Sequence, residues 1–277
     1  MVDLSTLKGL HPRLAAVPCL YYFHENQFAY PVSKRQFDSV DPEMVQLYGA
    51  LAADRLLFNS SYNRDSFLHG VAGLLQKLPD EIPDGIVDTL QNKSQLLPVV
   101  ITPVTAGENR NQKLILWNHR WEYDKQPLVF CDALLQLYKT RQDFELALLG
   151  SRPLNKAGAL LEIEQQLGDK ILVNEKVSRD DYCKYLSRSA IAVSTATHEF
   201  QGLSMLEAVS AGAVPLVPDD LCYREQYADE YRYKAGDSSA LAERLSQWLD
   251  SRPLPPDVSY WYGEELINNW YQMLKDC

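Results

Sequence analysis

The sequence of 277 residues lacks both a long hydrophobic run and an excess of positive charge. Its longest apolar stretch, Ala15–Phe23, is interrupted by Pro18 and is far shorter than the ~20 residues that a membrane-spanning helix needs. Lys and Arg number 27 against 37 Asp and Glu, which gives a net charge of −10. Residues 1–105 hold eight basic and eleven acidic side chains, and the remainder nineteen and twenty-six. A polynucleotide would therefore have to be bound through a local patch.

Paired cysteines and metal-ligand motifs are lacking as well. The five cysteines are scattered without a C-x-x-C motif: Cys19, Cys131, Cys183, Cys222 and Cys277. An odd number of dispersed cysteines is typical of free thiols in a reducing compartment, so we predict a cytoplasmic protein with no disulfide and no zinc ribbon. The five histidines form no H-E-x-x-H motif and no i, i+4 pair, so no metal site is predicted.

The apolar residues that are present occur in short runs that alternate with helical patterns. Eight runs are apolar almost throughout, which is typical of strands covered on both faces. They are Val17–Phe23, Arg55–Phe58, Ser94–Val99, Lys113–Asn118, Phe144–Leu149, Lys170–Val173, Ala190–Ser194 and Ala213–Val217. Helical periodicity lies between them, as in Gln126–Lys139, where one stripe contains Leu128, Cys131, Leu134, Leu135 and Tyr138. The alternation predicts βαβ units, parallel sheets and an α/β fold.

A segment without periodicity divides the chain into two α/β halves. Val100–Gln112 contains Pro103 and Gly107 and is predicted to link them. We predict an N-terminal Rossmann-like domain over residues 1–105, a C-terminal domain over 106–255, and a final helix in 256–277 that packs back on the N-terminal domain. The first half has about three predicted strands, whereas a doubly wound domain carries five or six, so we expect the first domain to be incomplete.

A polar turn with phosphate-binding chemistry follows the predicted strand Ala190–Ser194. Gly202 opens a helix there, and the free N–H groups of a helix N-terminus bind anions. Glu199 lies in the turn, and Glu207 leans back toward the same point from the second helical turn. Two carboxylates beside a phosphate site suit the hydroxyl groups of a sugar nucleotide. The alternative is a capped helix with one surface Glu and one half-buried Glu.

A second polar loop follows the predicted strand Lys113–Asn118. Ligands of open α/β sheets bind outside the carboxyl ends of the strands, where Arg120 and Lys125 lie. A guanidinium and an ammonium could neutralise a diphosphate leaving group at this edge. The alternative is a solvated loop with Trp117 and Trp121 in the core.

The first half also carries polar residues after its strands. Four hydrogen-bonding side chains follow the first strand and suit a polyol or a reacting centre: His24, Glu25, Asn26 and Gln27. A structural role for His24 is the alternative. Asn59 follows the second strand, and Ser60 or Ser61 is predicted to cap the next helix.

These motifs resemble a known family. The spacings Glu199-x7-Glu207 and Arg120-x4-Lys125 resemble the C-terminal half of GT-B-fold retaining glycosyltransferases. The resemblance implies two Rossmann-like parallel-sheet domains facing a cleft. It implies that Glu199 contacts the donor hexose, that Glu207 contacts the ribose, and that Arg120 and Lys125 hold the diphosphate. The backbone of Gly202 and Leu203 would meet the phosphates, and His24 would face the reacting sugar. Asn118, His119 and the backbone near Val177 would complete the donor site, and Glu25, Asn26, Gln27 and Asn59 the acceptor side.

Three longer stretches are similar to the tRNA-queuosine mannosyltransferase family: Tyr22–Gln27, Phe58–Ser60 with Arg64–Phe67, and Leu116–Lys125. This similarity implies retaining transfer of mannose from GDP-mannose to queuosine in tRNA, with fixed cations and neither a metal nor a further cofactor. Members of the family begin with a further βα region, so we expect this chain to be truncated. The alternatives are a nucleotide-sugar epimerase or a phosphorylase on the same fold, a non-catalytic nucleotide-binding fragment, and a plain interaction module.

Overall fold

The computed structural model describes residues 3–30, 39–79, 81–107, 109–152 and 158–275 and divides the chain into two compact units. The first unit consists of the residues up to Val99 together with those from Glu264 onward. The second unit is Val100–Gly263. Among the described residues, no helix has the length and apolar character that crossing a membrane requires.

The first unit is built around a three-stranded parallel sheet with the order β1-β2-β3. Its elements are α1 (Leu4–Leu10), α2 (Pro12–Ala15), β1 (Leu20–Phe23), α3 (Asp41–Ala52), β2 (Arg55–Phe58), α4 (Ser61–Leu75), α5 (Ile86–Asn92) and β3 (Ser94–Leu96). Phe23 and Phe58 end their strands side by side, with ring centroids 4.3 Å apart, and Phe67 of α4 packs 4.7 Å from Phe23. This aromatic core fixes the strand ends that carry His24 and Asn59.

The second unit contains a six-stranded parallel sheet with the order β6-β5-β4-β7-β8-β9. Its elements are β4 (Leu114–Trp117), α6 (Pro127–Thr140), β5 (Glu145–Leu148), α7 (Gly158–Gln166), β6 (Ile171–Asn174), α8 (Arg179–Arg188), β7 (Ile191–Val193), α9 (Leu203–Ser210), β8 (Val214–Pro218), α10 (Tyr223–Gln226), β9 (Arg232–Tyr233) and α11 (Ser238–Asp250). From β4 the chain adds β5 and then β6 on one side of the sheet, and from β7 it adds β8 and then β9 on the other side. Because β4 and β7 are neighbours, the loops that follow them meet at the topological switch point of the sheet.

The last helix, α12 (Glu264–Lys275), belongs to the first unit. Trp270 donates its indole N–H to the carbonyl of Pro98 at 2.8 Å. The Trp270 ring also packs on Tyr22, with centroids 5.3 Å apart. Tyr22 in turn donates its hydroxyl to Leu97 O at 2.7 Å, so α12 is tied to β1 and to the residues after β3.

Each of the eight predicted strand runs overlaps a strand of the structure, and the α/β class with parallel sheets is confirmed. One detail of α6 is wrong: Leu128, assigned to its apolar stripe, is 61% exposed. Cys131 and Leu134 of the predicted stripe are buried, together with Phe130 and Leu137, and the helix packs against α7 and α11. No disulfide joins the four cysteines among the described residues.

Candidate functional site

The turn between β7 and α9 brings Glu199 to the N-terminus of a helix. Gly202 is the N-cap of α9 and has a φ of 64°, a left-handed conformation that favours glycine. A Cβ at this position would lie 3.0 Å from the ring of Tyr223. The site therefore requires a residue without a side chain at the point where α9 begins, and this exposes the first-turn N–H groups of Leu203 and Ser204 to approach by an anion.

Lys125 lies between two carboxylates. Its ammonium is 3.3 Å from Glu199 Oε2 and 3.2 Å from Asp124 Oδ2, and it donates to the His198 carbonyl at 2.6 Å. The side chains of Lys125 and Asp124 are each 8% exposed. Hydrogen bonds to Glu199 and to the His198 carbonyl use two N–H bonds of the ammonium, and Asp124 contacts it as an ion pair. One cation between two anions leaves the cluster with a net negative charge.

Hydrogen bonds between the loop after β4 and the loop after β7 build this cluster. Thr195 donates its hydroxyl to Lys125 O at 2.6 Å, and Thr197 donates its N–H to Asp124 O at 2.8 Å. Gln126 follows with a φ of 48°, which turns the chain into Pro127 at the start of α6. Trp117 and Trp121 lie in the core, as the structural interpretation of this loop predicted; Trp117 stacks on Phe130 at 4.3 Å.

The charges around Lys125 shift two pKa values. Burial raises the pKa of Glu199, but Lys125 and other partners lower it by more, so this carboxyl has a pKa below its ordinary value. Burial and the nearby Lys125 lower the pKa of His119 to about 4. Glu199 is therefore a carboxylate at neutral pH, and His119 is an uncharged imidazole. The Nε2 atom of His119 is buried and has no hydrogen-bond partner among the described residues.

Glu207 lies on the second turn of α9, with 19% of its side chain exposed. Arg179 donates to its Oε1 at 2.7 Å, and Tyr182 donates to its Oε2 at 3.0 Å. The same Tyr182 hydroxyl accepts from Asn118 Nδ2 at 3.1 Å. Asn118 and Glu207 are thus connected through α8.

Arg120 and Val177 lie at the same edge of the sheet but outside these clusters. The side chain of Arg120 is 60% exposed, and its guanidinium forms an ion pair of 3.5 Å with the exposed Glu122. Such surface pairs are weak, so Arg120 can turn to an anion at little cost. Val177 is half-buried in the loop between β6 and α8.

In the first unit, hydrogen bonds fix the loop after β1. Asn26 is fully buried and donates to the Asn63 side chain at 2.9 Å. Asn59 donates to His24 O at 2.9 Å and accepts from Asn63 at 2.8 Å. The carboxamides of Asn26 and Asn59 therefore hold the loop, while His24 and Glu25 are exposed at its tip. Gln27 follows half-buried, with its N–H bonded to Gln46 Oε1 at 2.8 Å.

Sequence reasoning missed Asp124, Arg179 and Tyr182. Asp124 is adjacent to Lys125, but nothing in the sequence indicates that both are buried. Arg179 and Tyr182 lie in the first turn of a helix that follows a strand, a position whose side chains reach the carboxyl edge of the sheet. That placement was the available signal. No cluster of three or more His, Cys, Asp or Glu suited to a metal occurs among the residues with a described position.

Family comparisons agree with the two-unit architecture. Residues 1–101 match the model described as tRNA-queuosine alpha-mannosyltransferase N-terminal, and residues 103–260 match glycosyl transferases group 1. The tRNA-queuosine alpha-mannosyltransferase of Drosophila melanogaster is 34% identical over 258 residues, which are 88% of this chain and 68% of that protein.

Solved structures with a similar fold are GT-B glycosyltransferases. Anabaena HepE in complex with UDP has a TM-score of 0.71 at 13% identity, over 99% of this chain and 76% of that chain. A Staphylococcus aureus TarM variant in complex with UDP has a TM-score of 0.69 at 14% identity, over 96% of this chain. This chain spans 53% of the TarM chain, about half its length. The fold is thus GT-B, and the chain belongs to the tRNA-queuosine alpha-mannosyltransferase family of group 1 glycosyltransferases.

Proposed function

We propose that this chain is a retaining hexosyltransferase that transfers mannose from GDP-mannose to queuosine in tRNA. One observation carries the proposal: Glu199, Lys125 and the N-terminus of α9 meet at the topological switch point of the second sheet, with Glu207 one helical turn further on. Open α/β sheets bind nucleotides at this point. The name of the Drosophila relative supports mannose as the transferred sugar and queuosine as the acceptor.

The two carboxylates would hold the two sugars of the donor. Glu199 has a lowered pKa and is therefore an acceptor of hydrogen bonds at neutral pH, which suits the hydroxyls of the hexose. Glu207 is held on α9 by Arg179 and Tyr182 and would accept hydrogen bonds from the ribose. His119 and Asn118 would line the site between them, and the backbone near Val177 would contact the base.

Positive groups would stabilise the leaving diphosphate. When the bond between the anomeric carbon and the diphosphate oxygen breaks, positive charge develops on the sugar and negative charge on the leaving group. The α9 N-terminus and Arg120 can meet that charge directly, because Arg120 pairs with the exposed Glu122 and can leave it at little cost. Lys125 already contacts the His198 carbonyl, Asp124 and Glu199, and would share its charge between these groups and the diphosphate. Preorganised donors of this kind contribute roughly 10²–10³-fold to turnover each.

The first unit would supply the acceptor side. His24 and Glu25 are exposed at the tip of a loop that is fixed by Asn26 and Asn59. We assign His24 to a contact with the donor sugar or the reacting hydroxyl, and Glu25 and Gln27 to the acceptor side.

Product analysis with labelled GDP-mannose tests the proposal. The chain is incubated with donor and with tRNA that contains queuosine, and the label is followed into tRNA, nucleotide sugar and sugar phosphate. We expect label in tRNA, with turnover at saturating acceptor about 10²-fold lower in Arg120→Ala and unchanged in Arg188→Ala, an exposed arginine at the end of α8. Isomerised nucleotide sugar as the product would indicate an epimerase, and mannose phosphate would indicate a phosphorylase. Equal turnover in Arg120→Ala and Arg188→Ala would remove Arg120 from the site.

A further inference from the structure

The hydroxyl of Tyr182 connects two side chains of the proposed donor site in a defined direction. Asn118 Nδ2 donates both to the Ser204 carbonyl at 2.9 Å and to Tyr182 at 3.1 Å. A carbonyl can only accept, so the nitrogen of the Asn118 carboxamide must face Ser204, and the Tyr182 oxygen must be the acceptor of the second bond. The hydroxyl hydrogen of Tyr182 is then available for Glu207 Oε2, 3.0 Å away. Only a hydroxyl can accept and donate in this way.

Each oxygen of the Glu207 carboxylate has its own donor. Tyr182 holds Oε2, and Arg179 holds Oε1 at 2.7 Å while its guanidinium lies 5.2 Å from the centroid of the Tyr182 ring. Two donors on different oxygens fix the plane of a carboxylate as well as its position. The second lone pair of each oxygen stays available, because a carboxylate has about four acceptor sites. Burial raises the pKa of Tyr182, so its hydroxyl keeps its proton at neutral pH.

We propose that Tyr182 is a positioning residue that orients Glu207 toward the ribose hydroxyls and thereby sets the preference of the site for ribose over deoxyribose. The inference rests on the proposed function, in which Glu207 accepts from the ribose. A carboxylate in a fixed plane meets the two hydroxyls of a ribose at set angles. A carboxylate that only Arg179 holds can rotate about that one hydrogen bond, and it therefore discriminates less between ribose and deoxyribose.

Binding of nucleotides to the full chain tests this inference without a requirement for turnover. Dissociation constants of GDP, 2′-deoxy-GDP and 3′-deoxy-GDP are measured by calorimetry for the parent chain and for Tyr182→Phe, which keeps the ring. A charge-assisted hydrogen bond corresponds to about ten- to a hundredfold in affinity. We expect the parent to prefer GDP over at least one deoxy analogue by about that factor. In Tyr182→Phe the affinity for GDP should fall, that for the analogue should stay, and the ratio should approach one.

Two further variants separate positioning from general packing. Tyr185→Phe, on the same helix, should leave the ratio unchanged. Tyr182→Phe in a Glu207→Gln background should change the ratio no further, because the tyrosine acts through the carboxylate. A ratio unaffected by Tyr182→Phe, or independent and additive effects of the two substitutions, would overturn the inference and leave the proposed function intact. Absence of GDP binding in the parent chain would overturn both.

Discussion

Lys125→Met tests whether one cation holds a buried and a half-buried carboxylate, Asp124 and Glu199, in place. Methionine keeps most of the side-chain length but loses the ion pairs with Asp124 and Glu199 and the bond to the His198 carbonyl. Removing one partner of a buried ion pair costs about 3–5 kcal/mol, because the remaining charge is uncompensated. We expect the free energy of unfolding of the variant at pH 8 to be lower than that of the parent by about this amount.

The loss should depend on pH in one direction. In the parent, burial raises the pKa of Glu199 but Lys125 and other partners lower it by more, so its contribution to stability is present above its ordinary pKa of 4.5 and is lost as the pH falls through the lowered value. Without Lys125 the effect of burial dominates and the pKa of Glu199 rises. Protonation then relieves the penalty by about 1.4 kcal/mol for each pH unit below the raised pKa. The difference between parent and variant should therefore shrink from pH 8 to pH 5.

Guanidinium chloride unfolding measures both quantities, with the buried Trp117 and Trp121 as fluorescent reporters. Lys184→Met is the matched control. Lys184 pairs with Asp181 at 2.8 Å, but its side chain is 70% exposed, so this substitution should change stability little at either pH. A loss in Lys125→Met no larger than in the control would show that Lys125 does not hold the two carboxylates. A loss that stays constant from pH 8 to pH 5 would show that Lys125 does not set the pKa of Glu199.

Three further predictions use the same unfolding measurement. Gly150→Ala should destabilise the protein by about 3 kcal/mol or more, because the added Cβ would lie 1.4 Å from the His119 carbonyl oxygen. Its control is Gly73→Ala in α4, where nothing lies within 4 Å of the added Cβ, and this variant should be more stable than the parent by about 0.5–1 kcal/mol. Ser60→Ala should cost about 1 kcal/mol, since Ser60 Oγ accepts from the Asn63 N–H at 3.0 Å. The lowered pKa of His119, about 4 against an ordinary 6.5, predicts that stability falls as the pH drops from 6.5 to 4, and that His119→Gln reduces this slope. A change in the free energy of unfolding with the opposite sign at any of these positions would contradict the role given to that residue.

Most strands could be predicted from the sequence because they lie in short apolar runs, and β4, β7 and β8 are buried along their whole length. β9 could not, since Arg232–Tyr233 is only two residues long and half of it is charged. The buried face of α6 was only partly predictable, because several rotations of that helix place leucines inward and packing against α7 and α11 decides among them. Ser60 as the cap of α4 was predictable, since capping is local.

The candidate site likewise has a part that the sequence predicts and a part that it does not. The proximity of Glu199, Gly202 and Lys125 was predictable because they lie in the loops that follow β7 and β4, and the topology of a parallel sheet brings such loops to one edge. The bond between Asn118 and Tyr182 joins residues 64 positions apart, and no local pattern indicates it. The burial of Asp124 beside Lys125 likewise depends on Thr195 and Thr197 from a distant loop. Such hydrogen bonds form between distant parts of the chain only when it folds, so the local sequence does not indicate them.

The most direct test of mannose transfer to queuosine compares two acceptor tRNAs. The chain is given labelled GDP-mannose with tRNA that contains queuosine, and in parallel with the same tRNA in which guanosine occupies that position. We expect label in the first tRNA, carried by the queuosine nucleoside after digestion, none in the second, and loss of the label with Glu199→Ala. Equal labelling of both tRNAs would contradict queuosine as the acceptor, and label in neither would contradict the proposed transfer.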